Sequence, residues 1–257
     1  MPAPHIRAFS DGSYLLEFDE LGSTQDEATS RAKAGEERLV GVRADHQVHG
    51  RGRRGTDWHA PRGQCLLVTY LAALDNDILE APAVLSMASS LAVADAVAHL
   101  TGLDPHLRWP NDVLLGSRKL AGTLVEMLRL PLGHRPTRHV AAIGIGLNVN
   151  VAVWPEPLVH TAVSLRQATG RTWSVEAVEA AVRTALIDVQ RQIATPDPHW
   201  LHRRWNERDA TVGRRFLSHD QRGPITGTAY GISPDGHLLL RTDQGVEIRV
   251  ASARHIS

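Results

Sequence analysis

Hydrophobic and polar positions divide the 257-residue chain into short strands and a few long helical stretches. Residues 1–13 read as a loose lead-in, and Leu15-Leu-Glu-Phe18 as a short strand. Thr24 and Glu27 stand at capping-box spacing ahead of an Ala-rich run that stops at Gly35, which predicts a helix of about ten residues starting at Ser23 or Thr24. A strand over Leu39–Ala44, a loop over 45–63 and a strand over Gln64–Leu74 follow. Residues 79–101 carry only Glu80 and Asp95 as formal charges, the pattern of a helix buried nearly all round. Strands are predicted at 106–109, 112–115 and 118–128, then an exposed turn over 129–138 and a strand over His139–Asn150. From Ser174 to about Ala194, Val175, Val178, Val182, Leu186, Val189 and Ile193 recur at helical spacing. A short helix is expected within 197–208. After Thr211 the pattern changes to short β runs broken at Gly223-Pro224, Pro234-Asp-Gly236 and Asp243-Gln-Gly245. The expected organisation is a main domain over 1–208 and a β module over 209–257, close to the lower size limit for a core of its own and so expected to dock on the main domain.

Composition narrows the classes. Lys plus Arg and Asp plus Glu number 28 each, so the formal charge is zero and any anion site must be a local cluster. The single cysteine, Cys65, excludes an intrachain disulfide and a zinc ribbon. No run approaches the ~20 apolar residues of a membrane span, and the first residues lack the apolar core of a signal peptide. The expectation is a cytoplasmic protein without membrane contact.

Four constellations carry candidate chemistry. Gly50-Arg-Gly-Arg-Arg-Gly55 packs three glycines and three arginines into six residues. Glycine permits close backbone approach, and guanidinium forks match phosphate and carboxylate. In Arg108-Trp-Pro-Asn-Asp112, Pro110 pins the backbone ahead of Asn111 and Asp112, and a carboxylate so placed suits Mg²⁺. Lys119-Leu-Ala-Gly122 puts a cation at the head of an apolar strand and a glycine inside it, where something approaches closely. Taken singly, the first reads equally as a solvated basic loop, while the second and third read rather as a β-turn and a snorkelling lysine. The fourth is the strand Val140–Asn150. Its odd positions, from Ala141 to Val149, form a core face. Its even positions include Gly144, Gly146, Asn148 and Asn150, a face almost without side chains in its middle. Such a face meets another backbone or floors a pocket, and the motifs around it favour the pocket. P-loop, zinc-protease and nucleophile-elbow signatures are absent; Gly50–Gly55 matches Gly-x-Gly-x-x-Gly literally, but its three arginines and the following Trp58 argue for a loop rather than a dinucleotide-binding helix start.

In this order, Ser23-Thr-Gln25, Gln47 with Gly50–Gly55, Arg108–Asp112, Lys119–Gly122 and Gly144–Asn148 resemble the motifs of the biotin protein ligases. The likeness is strong over about residues 15–150 and general over the C-terminal β module. It implies an α+β fold: a central mixed or antiparallel sheet with helices packed on it, similar to class II synthetases, and a small SH3-like β-barrel. It also implies a reaction. The carboxylate of biotin attacks the α-phosphate of ATP, giving biotinyl-5′-AMP and pyrophosphate. A lysine of a biotin carboxyl carrier domain of an acyl-CoA carboxylase then takes the biotinyl group.

By this resemblance Ser23, Thr24, Gln25, Gln47, Arg51, Gly52 and Arg53 contact biotin. The loop from Gly50 closes over biotin and the adenylate, and Gly122, Gly144 and Gly146 belong to the bound surface. Trp58, Leu124 and Leu147 line the apolar side. Lys119 lies between carboxyl and α-phosphate, Asp112 holds Mg²⁺, and Asn111 and Asn148 fix phosphates or ribose. Lys119, Arg53 and Asp112 are the expected catalytic set. Arg108 replaces the commoner lysine and Gln25 the commoner asparagine. The first motif begins at Ser23, so no sequence-specific DNA binding is expected. Three alternatives stay open: a lipoate or octanoate ligase of the same architecture, a noncatalytic nucleic-acid-binding module using the arginine loop, and a peptide-binding adaptor.

Overall fold

The computed structural model describes residues 3–74, 82–132, 135–193, 197, 199–220 and 223–256. Eight strands form one sheet: β1 (His5–Ala8), β2 (Tyr14–Phe18), β3 (Leu39–Ala44), β4 (Cys65–Leu74), β5 (His106–Arg108), β6 (Asp112–Leu115), β7 (Arg118–Leu132) and β8 (Arg135–Asn148). Their order is β1-β2-β3-β4-β8-β7-β6-β5. Every pairing is antiparallel except β2 with β3, which the helix α1 (Thr24–Lys33) connects in parallel.

Side-chain parity gives this sheet two different faces. Leu66, Val68 and Tyr70 of β4 and Ala141, Ile143, Ile145 and Leu147 of β8 pack in one core with helices α2 (Pro82–Thr101) and α4 (Val175–Ile193). The opposite face carries α1, whose Ala28 and Ala32 lie in clusters with residues such as Val42, Leu128, Val140 and Ala142. Beyond the end of α1 this second face is open, and the glycines of β8 lie there. Helices α3 (Leu165–Thr169) and α5 (Trp200–Asn206) complete the α-helices among the described residues.

A five-stranded antiparallel sheet follows: β9 (Arg215–Asp220), β10 (Gly223–Ile232), β11 (Leu238–Thr242), β12 (Glu247–Val250) and β13 (Ala253–Ile256), ordered β12-β11-β10-β9-β13. Phe216, Leu238, Leu240 and Ala253 of this sheet share the main core cluster with Trp109. Trp109 donates from its indole to Gly236 O (2.9 Å) and from its backbone to Thr211 Oγ1 (2.9 Å), fixing the small sheet to the Arg108–Asp112 segment.

Several expectations change. The lead-in contains β1, held by pairing with β2 (Ile6 opposite Leu16) rather than by a sequence pattern of its own. The helix cap is Ser23, whose hydroxyl accepts from Asp26 N, one residue ahead of the expected Thr24 box. The turn expected over 129–138 is largely strand, because the β7–β8 ladder continues through Arg129 opposite His139 and Leu130 opposite Arg138. Helix α3 was not expected; a Ser164–Gln167 capping box starts it and Gly170 ends it. Residues Ala83–Thr101 are long and apolar enough to cross a membrane, contrary to the reading of the sequence. They are the core helix α2, in which Leu91, Ala92, Val93, Ala94 and Val97 are fully buried. Positions 79–81 of that predicted helix lie outside the described residues.

Candidate active site

The open part of the second face is a cleft of about 710 Å³, within the range of small-molecule sites. Strand register sets its floor. Gly122 of β7 is directly opposite Gly146 of β8, and Leu124 is opposite Gly144. On the other side of β8, Leu67 and Thr69 of β4 oppose the same two glycines.

A hydrogen-bond relay closes the end nearest α1. Thr24 donates from its backbone and hydroxyl to Gln47 Oε1 (2.7 and 2.9 Å). Thr69 Oγ1 donates to Thr24 Oγ1 (2.9 Å) and to Gln25 Oε1 (3.2 Å). Gln25 Nε2 reaches Ala142 O at 3.1 Å. Ser23, Thr24, Gln25 and Thr69 are all buried. A buried polar relay of this kind is costly to leave half-satisfied, so it orients each amide and hydroxyl. The chain departs from the commoner asparagine here to physical effect. The longer Gln25 lies across Gly144, where a β-carbon would stand 2.6 Å from its Oε1.

The middle of the floor carries Trp58. A β-carbon on Gly146 would fall 2.4 Å from the indole, and one on Gly122 would fall 3.3 Å from it. The bare face is thus fitted to the protein's own Gln25 and Trp58, with the cleft above them. Trp58 Nε1 is buried without a hydrogen-bond partner among the described residues. Lys119 Nζ stands 5.3 Å from the centre of that indole and 3.0 Å from the position of a β-carbon on Gly122.

Lys119 is held on its other side by Asp112, at 2.6 Å from Oδ1. Arg108 takes Oδ2, from Nη2 at 2.6 Å and from Nε at 3.1 Å. Burial pushes the Asp112 carboxyl up, but Lys119 and Arg108 outweigh it and hold the group below the usual aspartate range. Both carboxylate oxygens therefore face protein cations. A magnesium ion on Asp112 would have to displace one of them, and the described residues contain no cluster of three His, Cys, Asp or Glu that could hold a metal. The donor set does not fit a resident magnesium site.

The arginine loop lies over this arrangement. Gly55 takes a left-handed conformation (φ +71°), which closes a short 3₁₀ turn over Arg53–Gly55. Arg51 donates to Glu126 Oε1 (2.7 Å) on β7 and to Asp26 Oδ1 (2.6 Å) on α1. Arg53 donates to Asn111 Oδ1 (3.3 Å) and lies 5.9 Å from the Trp109 ring.

Nearly every residue singled out in the sequence lines this one cleft: Ser23, Thr24, Gln25 and Gln47; Arg51, Gly52, Arg53 and Trp58; Asn111, Asp112, Lys119 and Gly122; Leu124, Gly144, Gly146 and Asn148. Gly50 sits behind the loop, its carbonyl accepting from Trp58 N at 2.9 Å. The carboxamide of Asn148 donates to Val163 O (3.1 Å) and Lys119 O (3.3 Å), so it fastens β8 to its neighbours. Leu147 does not line the apolar side; strand alternation turns it into the core, where it is fully buried. Sequence reasoning missed Thr69, although a hydroxyl inside an apolar strand was a usable signal. It also missed Trp154, Arg214, Arg254 and His255, which reach the cleft from segments without a motif.

Known proteins match this chain over both parts. Residues 20–150 match the biotin/lipoate A/B protein ligase family, and residues 219–254 match the biotin protein ligase C terminal domain. The biotin–[acetyl-CoA-carboxylase] ligase of Mycobacterium tuberculosis is 38% identical over 245 residues, covering 91% of this chain and 85% of that protein. The enzyme of the same name from Paracoccus denitrificans is 31% identical over 214 residues, covering 80% and 86%. The biotin protein ligase from Aquifex aeolicus, solved in complex with biotin and ATP, superposes with a TM-score of 0.75 at 25% identity, over 94% of this chain and 99% of that one. The chain belongs to the biotin/lipoate A/B protein ligase family.

Proposed function

We propose that this chain activates biotin with ATP to biotinyl-5′-AMP and then transfers the biotinyl group to a lysine of a biotin carboxyl carrier domain. The named relatives support biotin over lipoate, as does the C-terminal match to biotin protein ligases. The observation that carries the proposal is the position of Lys119. Its ammonium lies between the glycine floor at Gly122 and the Asp112 carboxylate, where an acyl carboxylate and a phosphate would meet.

In the first step a biotin carboxylate oxygen bonds to the α-phosphorus. The bond to the bridging oxygen breaks, and that oxygen leaves on pyrophosphate. Two anions must approach, and a fixed cation between them lowers the barrier most where charge is shared. Asp112 keeps Lys119 aimed there, and Arg108 keeps Asp112 in place. In the second step a carrier lysine amine attacks the acyl carbon of the mixed anhydride, AMP departs, and the nitrogen loses its proton. The Thr24–Gln47–Thr69–Gln25 relay suits a polar, uncharged head group such as the ureido ring. The Arg51 bridges to α1 and β7 hold the loop over the product, which limits its hydrolysis. Residues 1–208 supply most of this machinery and 209–257 close one side of it. The use of ATP and of a carboxylase acceptor favours a cytoplasmic setting. Incubating the protein with biotin, ATP and Mg²⁺ and analysing it by native mass spectrometry tests the proposal. A bound biotinyl-5′-AMP is expected; its absence with wild-type protein refutes it.

A further inference from the structure

All but two of the 28 lysine and arginine side chains are arginine; the two lysines are Lys33 and Lys119. Lysine is ordinarily among the commonest residues, so the choice of cation is lopsided. The difference is chemical. A lysine amine that sheds its proton is a nucleophile, whereas a guanidinium stays protonated and does not attack acyl groups. A mixed anhydride such as biotinyl-5′-AMP acylates any amine that reaches its acyl carbon.

The cleft follows the same bias. Arg51, Arg53, Arg108, Arg214 and Arg254 line it, and Lys119 is the one lysine among its described lining residues. Lys119 is not open to acylation. Its Nζ is 2.6 Å from Asp112 Oδ1 and 5.3 Å from the centre of the Trp58 indole, and an ammonium so paired has no lone pair to offer. Lys33 is the opposite case. It is exposed in the last turn of α1, and its side chain makes no hydrogen bond or ion pair among the described residues. The cleft wall is at the other end of that helix, at Ser23 and Thr24. A helical rise of about 14 Å separates Lys33 from Thr24, more than a lysine side chain spans.

We infer that the exclusion of amines from this cleft is a selectivity device. The rim is basic through guanidinium groups, so the bound adenylate meets no reactive amine of its own protein and persists until an acceptor lysine enters. Lys33 is then the one side chain that the intermediate acylates, and only after escaping into solution. The inference rests on the proposed formation of biotinyl-5′-AMP. In this side reaction the neutral Lys33 Nζ bonds to the acyl carbon. The bond from that carbon to the phosphate oxygen breaks, AMP leaves with the electron pair, and the nitrogen releases a proton to water. The product is a biotinyl amide on α1. Reach separates the two situations: an amine tethered at the cleft mouth would meet bound adenylate at an effective concentration on the order of millimolar, whereas Lys33 meets only what is released.

Chemically prepared biotinyl-5′-AMP, added to the whole protein and followed by peptide mass spectrometry, tests the inference. Wild-type protein should carry biotin at Lys33 and at the N-terminal amine, with none at Lys119. Lys33→Arg should leave the N-terminal amine as the one labelled group. Excess glycinamide, a free amine that consumes released intermediate, should suppress the Lys33 label. Ser117 and His160 are exposed residues of the cleft lining, so lysine there is expected to leave the melting temperature unchanged. Ser117→Lys and His160→Lys should gain label at the substituted position, about tenfold above that at Lys33 and resistant to glycinamide. Such label in either variant supports the inference. Its absence from both, biotin on Lys119, or an unlabelled Lys33 overturns it. Failure of the activation reading is separate: wild-type protein then makes no adenylate from biotin and ATP, yet supplied biotinyl-5′-AMP still labels Lys33.

Discussion

The indole of Trp58 lies against Gly146, so close that a β-carbon on that glycine would be 2.4 Å from the ring. Gly146→Ala therefore has to lift Trp58 off the floor. The expected cost is about 1–3 kcal/mol of stability, the range for overpacking a fitted site. A rise of tenfold or more in KM for biotin should accompany it. Thermal unfolding and biotin kinetics check both. Adding Trp58→Ala to this variant should return the lost stability in part while activity stays low. Wild-type stability and kinetics in Gly146→Ala would show that the contact does not matter.

Lys119→Ala should slow adenylation by about 10²–10³-fold, the scale for removing one charge-stabilising donor. Asp112→Asn should slow it as well, since Lys119 then loses its 2.6 Å anchor. The Mg²⁺ concentration giving half-maximal rate should not change in Asp112→Asn, and a large increase there would make Asp112 a metal ligand after all. The Asp112 carboxyl is held below its ordinary 3.8, so the native state favours the ionised form. The stability this contributes is fully present above that value and is lost only as pH falls below it. An acid limb of activity above pH 5 therefore has another origin.

Gln25→Asn tests the departure at the relay. The shorter side chain cannot span both Thr69 Oγ1 and Ala142 O, which Gln25 now joins at 3.2 and 3.1 Å. One buried partner is left unsatisfied, at about 1–3 kcal/mol. Lower melting temperature and weaker biotin binding are expected together. An unchanged melting temperature would show that Asn serves the relay equally well.

Cys65 is buried, and burial pushes its thiol up to about 12. The thiol is protonated at neutral pH and should resist alkylation in the native protein. Mass spectrometry should show no adduct with iodoacetamide until denaturant is added, then one. Rapid native labelling would show that the strand opens readily.

The sequence disclosed the site better than its frame. Gly144 and Gly146 share one strand face by alternation alone, and the motifs around them converge as that parity implies. Leu147 shows the limit of reading motifs as blocks, because its odd position sends it to the opposite face. Strand β1 and the outer ends of β7 and β8 were illegible because pairing, not local pattern, makes them strands. Arg254 and His255 were illegible for a related reason: only the docking of Phe216 against Trp109 brings β13 to the cleft.

The most direct measurement is biotin-dependent exchange of labelled pyrophosphate into ATP, which reports the reversible making and breaking of the adenylate without any acceptor protein. Wild-type enzyme should catalyse exchange only when biotin is present, and Lys119→Ala should lose it. Exchange that ignores biotin, or that survives intact without the Lys119 ammonium, would contradict the placement of this chemistry over the glycine floor.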